Sequence, residues 1–242
     1  MIDTRRLIRY ASGYGVTVSP EAAEKYDVYA RRLVEWNQKI NLTAITDPEG
    51  MLVKHFLDSL TAAPLLSDGP CRLIDVGTGA GFPGVPLAIL RPDIELTLLD
   101  SLQKRLAFLE VLCHELELPV TLVHARAEEG GRQAALRERF DVAAARAVAA
   151  LPVLAEYCLP FVKPGGRFIA LKGPDADKEL EAAQNAVALL GGRTHSAETV
   201  TLPNDPAFTG ERGQRRLVLI DKIAPTPQKY PRPSAKIAKQ PL

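Results

Sequence analysis

The chain has no run of about 18 apolar residues, so no segment reads as a membrane-spanning helix. It has no apolar stretch near its start either. Residues 1–10 carry Asp3, Arg5, Arg6 and Arg9, a pattern unlike a secretory leader. Cysteine is scarce: Cys71, Cys113 and Cys158 are odd in number, far apart and flanked by apolar residues. That excludes a disulfide framework or a paired-thiol site and points to buried thiols in a reducing cytoplasm. The four histidines, His55, His114, His124 and His195, form no HxxxH pair and no Cys/His cluster, so no metal is expected. What remains is ordinary for a soluble globular protein: 242 residues, 46% hydrophobic and 24% charged. A chain of this length buries roughly 70–75% of its unfolded surface and needs no staples. It suits one large domain with an extension and excludes disorder as the main state.

The net charge of +1 conceals an asymmetry. Residues 211–242 hold eight basic side chains against two acids, a net +6, which leaves −5 on the preceding 210. A basic end on an acidic body suits a polyanionic partner; its bland alternative is a solubilising tail.

Three regions follow from the patterning. Residues 1–66 read as a helical extension. Tyr26, Tyr29, Leu33, Trp36 and Ile40 step by three and four, one face of an amphipathic helix over 20–40 with Ser19 as its cap. A second helix is predicted over 48–66, with Asp47 as its cap. From Cys71 the texture changes to strands alternating with helices. Strands are predicted at 72–76, 95–99, 120–124, 140–145, 166–171, 199–202 and 216–221, the last two antiparallel at the edge. This is an α/β fold over 67–222, a mostly parallel, doubly wound seven-stranded sheet with helices on both faces. Residues 223–242 form a basic, proline-rich tail, whose five prolines argue against helix or central strand.

The sharpest signal is the turn after the first strand, Asp75-Val76-Gly77-Thr78-Gly79-Ala80-Gly81-Phe82-Pro83-Gly84. Glycines there let the backbone turn tightly and approach a ligand. Gly79 to Gly84 match GxGxxG, which alone would suggest a dinucleotide. The fuller frame, an acid followed by three alternating glycines, favours S-adenosylmethionine. Asp75 can anchor the turn and face an ammonium, whereas a pyrophosphate gains nothing from a carboxylate. Asp100 ends the second strand, where an acid accepts hydrogen bonds from ribose hydroxyls.

With these residues in view, the chain resembles the glucose-inhibited division protein B family, ribosomal small-subunit RNA methyltransferases acting on a guanine N7. The matching stretches cover nearly the whole length. They include Asn37 to Thr43, His55-Phe56-Leu57-Asp58-Ser59, Asp75 to Pro86, Asp100-Ser101-Leu102 with Lys104-Arg105, Ala125 to Glu128, Arg146-Ala147-Val148, Lys172-Gly173 and Lys229 to Arg232. After Arg232 the family tends to carry a further basic residue and a glycine, where this chain has Pro233-Ser234-Ala235. The resemblance implies a class I, Rossmann-like methyltransferase in the cytoplasm, with S-adenosyl-L-methionine as cofactor and S-adenosyl-L-homocysteine as product. The implied partner is 16S ribosomal RNA in the small subunit, met by a monomer without membrane or metal.

It implies a cofactor pocket lined by Gly77 and Phe82, with Ala127 and Glu128 beside the adenine and Arg146 at the active centre. Asp75, Gly79, Asp100 and Ser101 complete that set. Phe82 could instead be a core residue, and Arg146 could instead pair with a carboxylate such as Glu128. Candidates for RNA contact are Asn41, His55, Asp58, Lys172, Arg212, Arg215, Arg216, Lys229 and Arg232. His55 and Asp58, three apart, share a helix face. Guanine N7 already presents an in-plane lone pair and no proton, so no acid or base residue is assigned; Arg146 is the positioning candidate. Because the glycine turn and Asp100 lie earlier in the chain, cofactor affinity is expected to be independent of the basic end. The rival readings are a methyltransferase for a small molecule or protein, a dehydrogenase, and a non-catalytic RNA-binding module on the same fold.

Overall fold

The computed structural model describes residues 1–203 and 213–242. The described residues form ten α-helical segments and seven strands. The extension begins with α1 (Thr4–Ser12) and α2 (Pro20–Asn37). Ser19 caps α2 as its pattern predicts, its hydroxyl accepting from the Ala22 amide at 3.1 Å, and Pro20 takes the first position. The next helical run is less regular than predicted. It opens as α3 (Pro48–Gly50), widens into a π-helical stretch (Met51–Leu57), and closes as α4 (Asp58–Leu60). Such wide turns rotate side chains out of the α register. Here the π stretch carries His55, and Asp58 follows it directly.

The sheet comprises β1 (Cys71–Val76), β2 (Ile94–Asp100), β3 (Val120–His124), β4 (Phe140–Arg146), β5 (Val162–Lys172), β6 (Gly192–Thr201) and β7 (Gln214–Lys222). Their order is β3-β2-β1-β4-β5-β7-β6. The first five are parallel; β7 runs antiparallel to both β5 and β6. β1 and β4 are neighbours, with Asp75 beside Ala144, so the strand order reverses between them. A crevice therefore opens at their carboxyl ends, where ligands bind in open α/β sheets.

Alternation along β1 divides the core. Leu73 faces one side with α1, α2, α5 (Gly84–Leu90) and α6 (Gln103–Glu115). Ile74 and Val76 face the other, with α8 (Leu151–Cys158) and α9 (Ala176–Leu189). The short α7 (Ala127–Gly130) follows β3. The extension shares its core with α5 and α6: Tyr26 and Tyr29, both fully buried, pack their rings 5.4 and 5.3 Å from Phe56. Each large side chain buried this way contributes about 1.5–3 kcal/mol. Their hydroxyls donate to the carbonyls of Pro86 and Ala80, so α2 grips the glycine turn itself.

Two expectations need correction. β6 begins at Gly192, seven residues before the predicted start, because Arg193, Thr194, His195 and Ser196 belong to a polar edge strand with no apolar alternation to read. The tail does contain a helix, α10 (Ser234–Lys239), fitted between Pro233 and Pro241. Proline is harmless just outside a helix, and the buried Ile237 anchors this one. All three cysteines are free and buried. No helix among the described residues is long and apolar enough to cross a membrane.

Candidate active site

β1 delivers Asp75 into a fully buried position at the start of the glycine turn. Its Oδ2 accepts from the Thr78 hydroxyl at 2.7 Å and the Gly84 amide at 2.9 Å, stapling both ends of the turn. Burial is the main reason its carboxyl is pushed up to about 6. Its Oδ1 is buried with no hydrogen-bond partner among the described residues. The amides of Gly77 and Thr78 donate to the Leu99 carbonyl, docking the turn on the end of β2. Gly77 sits at φ +71°, a left-handed conformation open chiefly to glycine.

At the end of β2 the Asp100 carboxylate binds the Gly79 amide and the Leu102 amide, each at 2.9 Å, and lies 3.3 Å from Arg105. Between this acid and the β3 end opens a cavity of about 300 Å³, walled by Gly77, Asp100, Ser101, Ala127, Glu128 and Ala147. Acceptors lie on both sides of it and small residues beneath, which suits a nucleoside bearing hydroxyls and a positively charged amino-acid end. Asp75 stands behind the turn as its anchor, and its orphaned Oδ1 leaves acceptor capacity at that strand end.

Arg146 ends β4. Its Nη1 donates to Asp58 Oδ2 and to the Lys54 carbonyl, each at 3.0 Å, and to the His55 carbonyl at 3.3 Å. Its Nη2 lies 3.3 Å from His55 Nδ1, and the guanidinium sits 4.7 Å from the centre of the Phe82 ring. Because Arg146 only donates, His55 Nδ1 accepts; Nε2 therefore carries the ring proton, 2.8 Å from Thr43 Oγ1. Phe82 is buried in this stack, 4.5 Å from the His55 ring and 5.0 Å from Tyr29. The core alternative for Phe82 thus describes its surroundings, and the carboxylate paired with Arg146 is Asp58 from the extension, not Glu128.

A second cavity, about 550 Å³, lies on this side, with His55, Asp58, Arg146, Ala147, Lys172 and Arg215 on its wall. Asp58 bridges two arginines, Oδ1 meeting Arg215 at 3.1 Å. Lys172 binds the Ala149 carbonyl at 2.8 Å and Glu179 at 2.7 Å. Ala147, at φ +55°, lies on the wall of both cavities.

A family model described as rRNA small subunit methyltransferase G matches residues 22–206. The Ribosomal RNA small subunit methyltransferase G of Acetivibrio thermocellus is 48% identical over 237 residues, covering 98% of this chain and 95% of its own length. Its namesake in Geobacillus kaustophilus is 48% identical over 230 residues, covering 94% of each. This chain belongs to the rRNA small subunit methyltransferase G family. Solved structures agree on the fold. A methyltransferase from Pyrococcus furiosus superposes with a TM-score of 0.55 at 15% identity, over 84% of this chain and 100% of that one. The Precorrin-6y C5,15-methyltransferase from Geobacter metallireducens gives 0.51 at 18% identity, over 76% and 92%. The fold is the class I, Rossmann-like methyltransferase fold.

Within this family member the RNA candidates separate by position. His55, Asp58, Lys172 and Arg215 converge on the second cavity. Asn41 is exposed on the loop before α3; Asn37, which sequence reasoning passed over, holds that loop by accepting from the Leu42 and Thr43 amides. Arg212 lies outside the described residues. Arg216 is paired with Asp177, and Arg232 with the fully buried Glu156 at 2.7 Å. Lys229 is exposed, its ammonium 5.1 Å from the Tyr230 ring. Also unanticipated were Arg105, Tyr157 and Ser234 on the first cavity's wall. Arg105, five residues after Asp100, had a signal in the Lys104-Arg105 pair; Ser234 had none, since only tail docking brings it there.

Burial, then the Arg146 charge, pushes the His55 imidazole down to about 3. Between that value and the ordinary 6.5 the unfolded chain takes up a proton that the folded chain refuses. His55 therefore favours folding fully above pH 6.5, and this contribution is lost as pH falls toward 3. Asp75 acts oppositely: its raised value lets the folded chain hold a proton between 3.8 and about 6. Its contribution is present at low pH and is lost as pH rises through that window. Replacing His55 by glutamine removes one of the two. The Tm of the His55→Gln variant, followed by circular dichroism, should fall less steeply than that of wild type from pH 6.5 down to 4.5. Parallel curves would show that His55 does not refuse the proton.

Proposed function

We propose that this chain transfers a methyl group from S-adenosyl-L-methionine to a guanine N7 in 16S ribosomal RNA. The cofactor occupies the cavity beside Asp100 and Glu128, and the target base enters the cationic one beside Arg146, Lys172 and Arg215. The observation that carries this reading is that the two cavities share Ala147, so a donor and an acceptor are held on either side of a single small residue. When bound, the cofactor supplies a methyl made electrophilic by its sulfonium.

The chain's own work is placement. N7 needs no deprotonation, so rate enhancement rests on alignment and exclusion of water. Asp58 and the carbonyls of Lys54 and His55 fix the Arg146 guanidinium, which suits it to donate to guanine O6, one of the two acceptors arginine reads in a groove, while the N7 lone pair stays free for the methyl. Methylation leaves the ring positively charged, and Asp58 is a carboxylate on that cavity's wall. A base in structured RNA must be splayed out to enter. The same reading places the protein in the cytoplasm, as a monomer without metal, working on the small subunit or its RNA. Gly77, Gly79, Asp100, Ser101, Ala127 and Glu128 are its cofactor residues, with Asp75 behind the turn and Phe82 beneath Arg146.

The test is mass mapping of methylated nucleosides in small-subunit RNA from cells with and without the protein, beside transfer of labelled methyl in vitro. Identical N7-methylguanine content in the two RNAs would sink the reading.

The RNA-binding role of the basic end is narrowed by its ion pairs. Lys229, Lys236 and Lys239 are its exposed described cations. Each phosphate contact adds about 0.7 to 0.9 to the log–log salt slope, so replacing all three by alanine should flatten it by about 2. RNA binding across a salt series measures this; an unchanged slope assigns the three lysines to solubility.

A further inference from the structure

The C-terminal segment is held to the fold by two arginines of the body and by two of its own cations. Arg132 donates to the carbonyls of Pro231 at 2.8 Å and Lys229 at 3.0 Å. Arg137 donates to those of Tyr230 at 2.9 Å and Thr226 at 2.7 Å. Lys222, wholly buried, donates to the carbonyls of Leu159 and Val162, to the Thr226 hydroxyl and to Glu138. Arg232 clasps Glu156 through its backbone amide and its guanidinium, at 2.7 to 3.1 Å. A tail held at this many points is ordered wall, not a mobile arm.

The clasp has a geometric product. Arg232 precedes Ser234 by two residues, and Glu156 immediately precedes Tyr157 in α8. Pinning the first pair brings the Ser234 and Tyr157 hydroxyls 3.2 Å apart, and both lie on the wall of the 300 Å³ cavity with Ala127 and Glu128. Asp100 and Gly77, from the glycine-turn side, belong to the same cavity. Two hydroxyls within bonding distance form a joint donor–acceptor pair, the chemistry that recognises a polar edge of a nucleoside.

We infer that Ser234 and Tyr157 are positioning residues for the adenosine part of the cofactor, and that the tail exists to complete that cavity. This rests on the cofactor reading of the cavity given above. It also revises the expectation that cofactor affinity is independent of the basic end, which followed from the position of the glycine turn in the sequence alone.

The probe is S-adenosyl-L-homocysteine titrated calorimetrically into the full chain. Removing both hydroxyls in the Ser234→Ala, Tyr157→Phe double variant should weaken binding about five- to tenfold, the worth of one or two hydrogen bonds, with Tm unchanged. Ser234→Thr keeps a hydroxyl and should retain wild-type affinity. Ser234→Leu, which fills the wall with an apolar branch, should weaken binding further than the double variant. In turnover, the double variant should raise the KM for S-adenosyl-L-methionine while kcat holds. Wild-type affinity in both the double variant and Ser234→Leu overturns the inference while the cofactor reading stands. A wild-type chain that binds no S-adenosyl-L-homocysteine overturns both.

Discussion

Replacing Arg146 by alanine is expected to abolish methyl transfer and to lower the melting temperature together. The side chain is only 14% exposed, and its guanidinium meets Asp58, two carbonyls and His55 at once. Its removal leaves the buried Asp58 with Arg215 as the remaining one of its two arginines and takes a donor from the Lys54 and His55 carbonyls, at a cost of about 3 kcal/mol. For a chain of this size that lowers Tm by roughly 6–12 °C. A stability loss alone would leave the surviving folded molecules active. The positioning role predicts that they are not, because the same guanidinium forms part of the base cavity. Activity per folded molecule, measured well below the variant's melting point, separates the two. Arg146→Lys keeps the charge but not the planar fork, so it should recover stability in part and turnover hardly at all. An Arg146→Ala variant that turns over normally once folded would reduce Arg146 to a structural ion pair.

Gly77→Val should remove cofactor binding while the sheet stays intact. At φ +71° any side chain is strained, by about 1–2 kcal/mol for an L-residue. A Cβ there would also stand 3.0 Å from Val148 Cγ2, so the Val148 side chain has to shift by a few tenths of an ångström and the valine methyls crowd it further. Both displacements fall on the cavity wall, since Gly77 and Val148 line it. A loss of ~2–3 kcal/mol in binding corresponds to affinity roughly 30- to 150-fold weaker. Calorimetry with S-adenosyl-L-homocysteine decides it, and unchanged affinity would remove the cofactor from this turn. In the sequence the glycines are explained by the close approach of a ligand, whereas the structure also sets Val148, from a neighbouring loop, against Gly77.

That difference shows what was legible. Strand and helix periodicities depend on nearby residues, and the central sheet follows them closely. Where a strand lies at an edge and is solvated, as in Gly192–Thr201, alternation vanishes and so does the signal. The glycine turn was readable because its chemistry is local. Asp75, Thr78 and Gly84 lie within nine residues, and Asp75 Oδ2 accepts from both of the others. The rest of the site is assembled from distant elements. Asp58 finds Arg146 across 88 residues and Arg215 across 157, and nothing in the sequence ranks Asp58 above Glu128 as that partner. The basic end was only partly legible for a related reason: charge counts cannot tell a cation destined for phosphate from one destined for Glu156 or a backbone carbonyl.

The Asp58 bridge also sets a timetable for biosynthesis. At roughly 5–20 residues per second on the ribosome, the 157 residues between Asp58 and Arg215 take roughly 8–30 seconds to emerge. Through that interval Asp58 lacks one of its two arginines, while the apolar face of Met51, Leu52, Phe56 and Leu57 is covered by α2 and, as they emerge, by α5 and α6. The helical extension, made before the sheet, therefore gains one of its ion pairs only once β7 is made.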